Sequence, residues 1–168
     1  RIKRYSSECW KIDRRKKVLA TIFLKAVDFF NTNKEIMDHF FEVKELDLKK
    51  LTSKYKGEEL IEVLRTKVEG SFNCEDIIDE STGEFIVESE ELVDTIVLEK
   101  LVENKIKKFT YWEVKPEDRI IANAIIFDHT KNSDDAVVEV FKKLRPGDLV
   151  TVDSARSLIK QMFFNPQR

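Results

Sequence analysis

The stretch Leu144-Arg145-Pro146-Gly147-Asp148-Leu149-Val150-Thr151 constrains the fold of this chain more than any other. Proline has no amide hydrogen to donate and glycine reaches positive φ freely, so a helix arriving at Leu144 must end there. Thr151 is a good N-cap for a new helix, and Asp153 stands in its first turn, where the helix dipole favours an acid. Ala136, Val137, Val140, Phe141 and Leu144 recur at helical spacing before the break, and Ala155, Leu158, Ile159 and Met162 after it. The last third therefore reads as an antiparallel helix pair joined by a short tight loop, with the first helix starting after Asn132-Ser133.

Helical periodicity recurs upstream. Val18, Ile22, Leu24, Ala26, Val27 and Phe30 predict a helix after the basic run of residues 14–17. Thr32-Asn33 then caps a second helix carrying Ile36, Met37, Phe40 and Phe41. From Val43 to Leu51 the apolar spacing fits a strand or a helix, and the stretch to Gly57 reads as an exposed connector. Val68, Phe72, Cys74, Ile77 and Ile78 lead into a Glu80-Ser81-Thr82-Gly83 turn, and Phe85, Ile86 and Val87 lead out, which predicts paired strands. An amphipathic helix from Leu92 to about Asn104 and a strand from Lys105 to Val114 follow. Pro116 marks a boundary, and the apolar segment Ile120, Ile121, Ala124, Ile125 and Ile126 is left unassigned.

These elements make an α+β fold: a helical base layer with an inserted small α/β lobe of hairpin, helix and strand. The expected division is residues 1–65 as a basic segment and helical part, 66–115 as a small acidic sub-lobe, and 116–168 as the helix pair. At 168 residues and 42% apolar content the chain can bury a core, and no apolar run approaches the roughly 20 residues that cross a bilayer. The start at Arg1 without a leader suggests a piece of a longer chain. Cys9 and Cys74 are too few and too distant for a disulfide framework, which suits a reducing compartment and two free thiols.

A net charge of −2 conceals segregation. Arg1, Lys3, Arg4, Lys11, Arg14, Arg15, Lys16 and Lys17 face only Glu8 and Asp13 in the first 17 residues, whereas residues 75–99 hold ten acids and no Lys or Arg. One end suits backbone phosphates and the middle repels them. On composition alone residues 14–17 read equally as phosphate contacts or as a solubilising run. Catalysis finds little support. His39 and His129 lack metal-ligand spacing, and P-loop, GxSxG and CxxC motifs are absent. Asp76, Asp79, Glu80 and Glu84 lack the EF-hand pattern and read as a solvated acidic face.

Three motifs, in order along the chain, resemble the beta subunit of bacterial-type RNA polymerase. They are Ile12-Asp13-Arg14-Arg15-Lys16-Lys17 before Ala20-Thr21-Ile22-Phe23-Leu24, then Asp79-Glu80-Ser81-Thr82-Gly83-Glu84, and finally the Leu144 to Thr151 loop with Phe163-Phe164-Asn165-Pro166-Gln167-Arg168. The resemblance implies the lobe of that subunit, one jaw of the cleft that carries downstream DNA and the unpaired non-template strand. It implies a part of a nucleotidyltransferase that itself holds no catalytic residues, metal or cofactor. Partners would be DNA, the beta prime and alpha subunits and, as further candidates, sigma factor and NusG-type elongation factors, in the cytoplasm at the nucleoid. The family continues beyond a residue equivalent to Arg168, so an excised domain is expected.

The resemblance also assigns residues. Arg14, Arg15, Lys16 and Lys17 would contact phosphates at the root of the lobe. Arg1, Ile2, Tyr5 and Trp10 look similar to a segment whose Trp stacks on an unpaired non-template base, a contact worth roughly 1–3 kcal/mol; the alternative is an ordinary packed Trp. The family's strand hairpin between that Trp and the basic run is missing here. Arg145, Pro146, Gly147 and Asp148 match a gate loop, with Leu149-Val150 where the family has a Pro-Pro pair. The competing function, of another class, is a free-standing protein-interaction module whose acidic lobe binds a partner.

Overall fold

The computed structural model describes residues 9–13 and 16–164. Their contacts separate two compact units, Arg1–His39 with Glu117–Arg168, and Phe40–Pro116.

The first unit is the helical base. A hairpin of β1 (Cys9–Asp13) and β2 (Lys16–Leu19) leads into α1 (Ala20–Ala26) and α2 (Asn33–Phe40), and the chain returns through α6 (Arg119–Phe127), α7 (Ser133–Leu144) and α8 (Val152–Phe163). The intervening α3 (Leu48–Lys54), α4 (Glu58–Val68) and α5 (Thr95–Glu103) belong to the second unit. Val18, Ile22, Ala26, Ala136, Val137, Val140, Ala155 and Ile159 form one buried cluster, so α1, α7 and α8 meet along their apolar faces. Local signals agree with this packing. The Asn132 side chain accepts from the Asp135 amide at 2.9 Å, and Asp134 and Asp135 occupy the first turn of α7 with Lys142 and Lys143 in its last. Thr151 and Ser154 close a reciprocal capping box at α8.

The second unit is built on a three-stranded antiparallel sheet in the order β3, β7, β4, from Glu42–Asp47, Lys108–Glu113 and Phe72–Asn73. Trp112 lies opposite both Val43 and Phe72 in the register and is 2% exposed. Helices α3, α4 and α5 supply Leu48, Leu60, Leu64, Val68, Val97, Leu98 and Leu101 to a core shared with Phe109. Each such side chain, fully buried, contributes roughly 1.5–3 kcal/mol. A second hairpin, β5 (Ile77–Ile78) with β6 (Phe85–Val87), buries Val87 in this core with Ile77 and Ile86 packed against it. Its base is clamped by Asn73, whose amide group donates to the carbonyls of Glu75 and Glu88.

Helix α5 ends in an unusual way. The Lys105 amide donates to Val102 O and the Ile106 amide to Leu101 O, both at 3.1 Å, which is the Schellman pairing. That motif asks its C′ residue for positive φ and normally uses Gly. Here Lys105 takes φ 53°, at a cost of about 1 kcal/mol.

The mixed α+β architecture matches the expectation, as do the Ile78 to Phe85 hairpin, α5, β7 and the α7 and α8 pair with its caps. Several boundaries do not. The helix expected after the basic run begins only at Ala20, because Lys16 to Leu19 pair with β1; Lys17 is exposed and Val18 buried, a strand alternation. The ambiguous Val43 to Leu51 segment is both things in turn, β3 and then α3, with Asp47 capping the switch by accepting from the Lys50 amide. Val68 closes helix α4 rather than opening a strand. The unassigned apolar segment is α6. Residues 40–65, grouped in the expectation with the N-terminal part, fall in the second unit, because β3 pairs with β7 and α4 fills the core beneath it.

Candidate nucleic-acid interface

Of the residues expected to meet nucleic acid, Trp10 lies on β1 and Lys16 and Lys17 on β2. The backbone of Trp10 pairs with Val18, Lys11 with Lys17 and Asp13 with Lys16, with a register shift between Lys11 and Asp13. The side chain of Lys17 is exposed on β2. Arg14 and Arg15 lie outside the described residues, and of Trp10 and Lys16 only the strand backbone is described. The pairing of Asp13 with Lys16 places Lys16 and Lys17 on a strand. Strand alternation, rather than helical spacing, therefore sets the exposure of Lys17.

The gate-like loop is fully described. The Asp148 amide donates to Arg145 O at 3.3 Å, Pro146 and Gly147 occupy the central positions, and Gly147 has φ 86°. This is the pattern of a type II turn, where proline presets the first central φ and glycine supplies the positive second one. The Arg145 amide still bonds back to Phe141 O at 2.8 Å, and the capping box holds Thr151 on the other side. Arg145, Pro146, Gly147 and Asp148 are all exposed, and Leu149 is 99% exposed. The Leu149-Val150 pair thus divides its roles: Leu149 faces solvent while Val150 packs on the base core.

The same unit holds a polar network that sequence reasoning missed. Lys25 on α1 is completely buried, and its ammonium donates to Asn33 Oδ1 and Thr130 O at 2.9 Å and lies 2.7 Å from Asp128 Oδ2. Asp128 in turn accepts from Thr21 Oγ1, the Thr130 amide and Thr130 Oγ1. Nearby, Asp28 takes φ 63°, accepts from Ser133 Oγ at 2.7 Å and receives the Arg156 guanidinium at 3.0 and 3.2 Å. The Ser133 hydrogen bond, with the Arg156 contact, holds the Asp28 carboxyl below its usual range against the opposing effect of burial. Arg156 also reaches Asp134 at 2.6 Å, and that bond and Asp28 raise its pKa further above the ordinary arginine value. The available signal was position: Lys25 follows Ile22 by three residues and Thr21 by four, on the buried face of α1.

The remaining polar candidates are used locally. Asp79 accepts from the amide and hydroxyl of Ser81, contacts that hold its carboxyl low, and Asp76 accepts from the Ser89 amide. His39 packs a tilted ring on Phe30 at 5.3 Å, and exposed His129 lies 3.6 Å from Glu139. Cys9 and Cys74 form no disulfide among the described residues. Among the described residues no cluster of His, Cys, Asp or Glu is arranged to hold a metal ion, and no helix is long and apolar enough to cross a membrane.

Fold and site together define a mixed α+β chain with a buried Lys25–Asp128 pair, an exposed Lys17 on β2 and an exposed Pro-Gly turn. Comparison with curated proteins gives the particular family. The chain is 62% identical over 160 residues to the DNA-directed RNA polymerase subunit beta of Fusobacterium nucleatum, covering 94% of this chain and 14% of that protein. The subunits of Solibacter usitatus, 27% identical over 200 residues, and Protochlamydia amoebophila, 30% over 155, cover 94% and 92% of the chain. The chain is thus homologous to a segment of DNA-directed RNA polymerase subunit beta and spans 11–14% of the length of these relatives. No family model matches the chain. The alignment with the Solibacter protein is longer than this whole chain, whereas that with Fusobacterium is not.

Proposed function

We propose that this segment is the lobe of an RNA polymerase beta subunit, one jaw of the DNA cleft, which contacts downstream and non-template DNA while catalysis takes place elsewhere in the enzyme. The observation that carries the reading is the 62% identity over 94% of the chain to a protein named as that subunit. The assembly would include the beta prime and alpha subunits, with sigma factor and NusG-type factors as transient partners, in the cytoplasm. Lys17, exposed on β2, and residues 14–16 beside it would hold phosphates; Trp10 would stack on an unpaired base; Arg145 on the gate-like turn would make a polar contact across the cleft. Several carboxylates serve the fold, Asp47 and Asp94 as helix caps, Asp79 in a turn and Asp128 in a buried ion pair.

Binding of the chain to forked DNA, followed by fluorescence anisotropy across a salt series, tests this. Affinity should be weak, indifferent to sequence and steeply reduced by salt. Combined Arg14→Ala, Arg15→Ala and Lys17→Ala should weaken it, and Glu84→Ala with Glu88→Ala should not. Equal loss from both sets would sink the directed basic site.

One observation favours the reading as a protein-interaction module. Ile78 and Phe85 are cross-strand partners, 47% and 56% exposed, on a hairpin that also carries Asp76, Asp79, Glu80 and Glu84. An exposed apolar pair on an acid-rich hairpin suits a basic, apolar-containing partner. Under this reading Phe85→Ser abolishes capture of such a peptide and leaves DNA binding unchanged.

A further inference from the structure

The second unit carries a cleft of about 400 Å³ between α3, the start of α4 and the end of α5. Its floor is aliphatic, formed by Leu48, Leu60, Leu101, Val102 and Ile106, with Tyr55 on one side. Its rim is cationic: Lys49, Lys56, Lys105 and Lys107 line it, all four are exposed, and no Asp or Glu lines it. Among the described residues none of these four ammonium groups forms an ion pair, although Lys44, Lys108 and Lys142 elsewhere on the chain do. Four uncompensated charges around an apolar basin, on a chain whose net charge is −2, are a local concentration of positive potential.

Lys105 sharpens the point. It occupies the Schellman position where glycine is the unstrained choice, with φ 53°, and so puts an ammonium on the rim at the expense of local backbone comfort.

We propose that this cleft is a docking site for an acidic peptide segment that inserts one or two large apolar side chains into the basin while its carboxylates meet the lysine rim. The volume admits a few side chains and not a whole helix, so recognition would rest on a short linear segment. Charge complementarity selects the occupant. A basic segment is repelled, and a nucleic acid would satisfy the lysines but leave the aliphatic floor without a partner, there being a single aromatic ring for bases to stack upon. The proposal is independent of the DNA-contacting role suggested above, since it uses no residue of the β1 and β2 hairpin.

The test is a titration of the 168-residue chain into a fluorescein-labelled acidic peptide with a central Leu-Phe pair flanked by Asp and Glu, followed by anisotropy. A peptide with Asn and Gln in place of the acids and a labelled oligo-dT serve as comparisons. Saturable binding is expected with a dissociation constant of some tens of micromolar, weaker in high salt and lost with the neutral peptide. Lys49→Gln with Lys56→Gln should weaken it about ten-fold, on the scale of a few-fold for each exposed charge. Lys105→Gly should weaken it about two- to five-fold while the melting temperature holds or rises, a pairing that loss of structure would not produce. Absence of saturable binding, or equal binding of the neutral peptide, overturns the proposal. So does oligo-dT binding that the same lysine changes weaken more than they weaken the peptide, which would make this a nucleic-acid surface. Dimerisation of the chain by sedimentation, abolished by the same changes, would replace the peptide with the acidic hairpin of a second copy and overturn it as well.

Discussion

The ammonium of Lys25 and the carboxylate of Asp128 lie 2.7 Å apart with both side chains fully buried, joining α1 to the turn that follows α6. Each charge has lost its water, and each is compensated by several other hydrogen bonds: Asn33 and Thr130 for the lysine, Thr21 and Thr130 for the aspartate. The pair ties together segments more than 100 residues apart, so it fixes how the two halves of the helical base meet.

Lys25→Met should therefore destabilise the chain by about 3–5 kcal/mol, because it strands a desolvated carboxylate. The double change Lys25→Met with Asp128→Asn should recover a substantial part of that loss, since the stranded charge is gone. Urea unfolding followed by circular dichroism measures both. A double variant no better than the single one would mean that packing, and not the charge, carries the site.

Asp28 gives a pH signature. Its folded pKa is lowered by the Ser133 hydrogen bond and by Arg156, so the folded state binds that proton less readily than the unfolded chain. Its stabilisation is present above the unfolded carboxylate value, near pH 4, and is lost as pH falls through the lowered folded value. Asp28→Asn keeps a residue that tolerates the observed φ of 63° and removes only the charge. Melting temperatures taken from pH 7 to pH 3 should fall less steeply for the variant than for the wild-type chain. Parallel curves would remove Asp28 from the account of acid sensitivity.

What could be read beforehand followed from punctuation and periodicity. Pro146-Gly147, Thr151, Asn132 and the Glu80 to Gly83 turn mark their elements locally, and the chain obeys them. What could not be read depends on distant partners. Lys16-Lys17-Val18-Leu19 has no strong strand composition and becomes β2 because β1 pairs with it. Residues 42–47 become β3 because β7, more than 60 residues away, is long enough to cover them. The cleft escaped notice for the same reason: Lys49, Lys56, Lys105 and Lys107 are scattered in sequence and converge only when α3 meets the end of α5. The basic run and the Pro-Gly loop were legible as types of residue in order, though not the strand that carries Lys16 and Lys17, and the geometry of the turn followed from its Pro-Gly pair.

The turn permits a clean stability test. Gly147 has φ 86° and an added Cβ there meets nothing within 4 Å, so the cost of Gly147→Ala is purely conformational. About 1 kcal/mol should be lost. Leu149→Ser, at a side chain 99% exposed, should leave stability unchanged within about 0.5 kcal/mol. Thermal unfolding of the two variants side by side separates the backbone requirement from the side chain. A Leu149→Ser loss as large as that of Gly147→Ala would show that Leu149 is held against the fold in solution.

Trp10 carries the most specific assignment made from the family. Its backbone is paired with Val18 in the β1 and β2 hairpin, and Lys17 is exposed on the paired strand. Phosphates held by the cationic residues of that hairpin would let an unpaired base swing onto the indole, a contact worth roughly 1–3 kcal/mol and tolerant of base identity. In polymerase reconstituted with the full beta subunit, Trp10→Ala should shorten the lifetime of the open complex or shift start-site choice. Trp10→Phe should be milder, because it keeps a smaller aromatic face, and elongation rate on a uniform template should change little. Both quantities are read from single-round transcription with a competitor challenge. If Trp10→Ala leaves open-complex lifetime and start-site distribution as in the parent enzyme, Trp10 is a packing residue of the hairpin and the non-template strand is held by the cationic side chains alone.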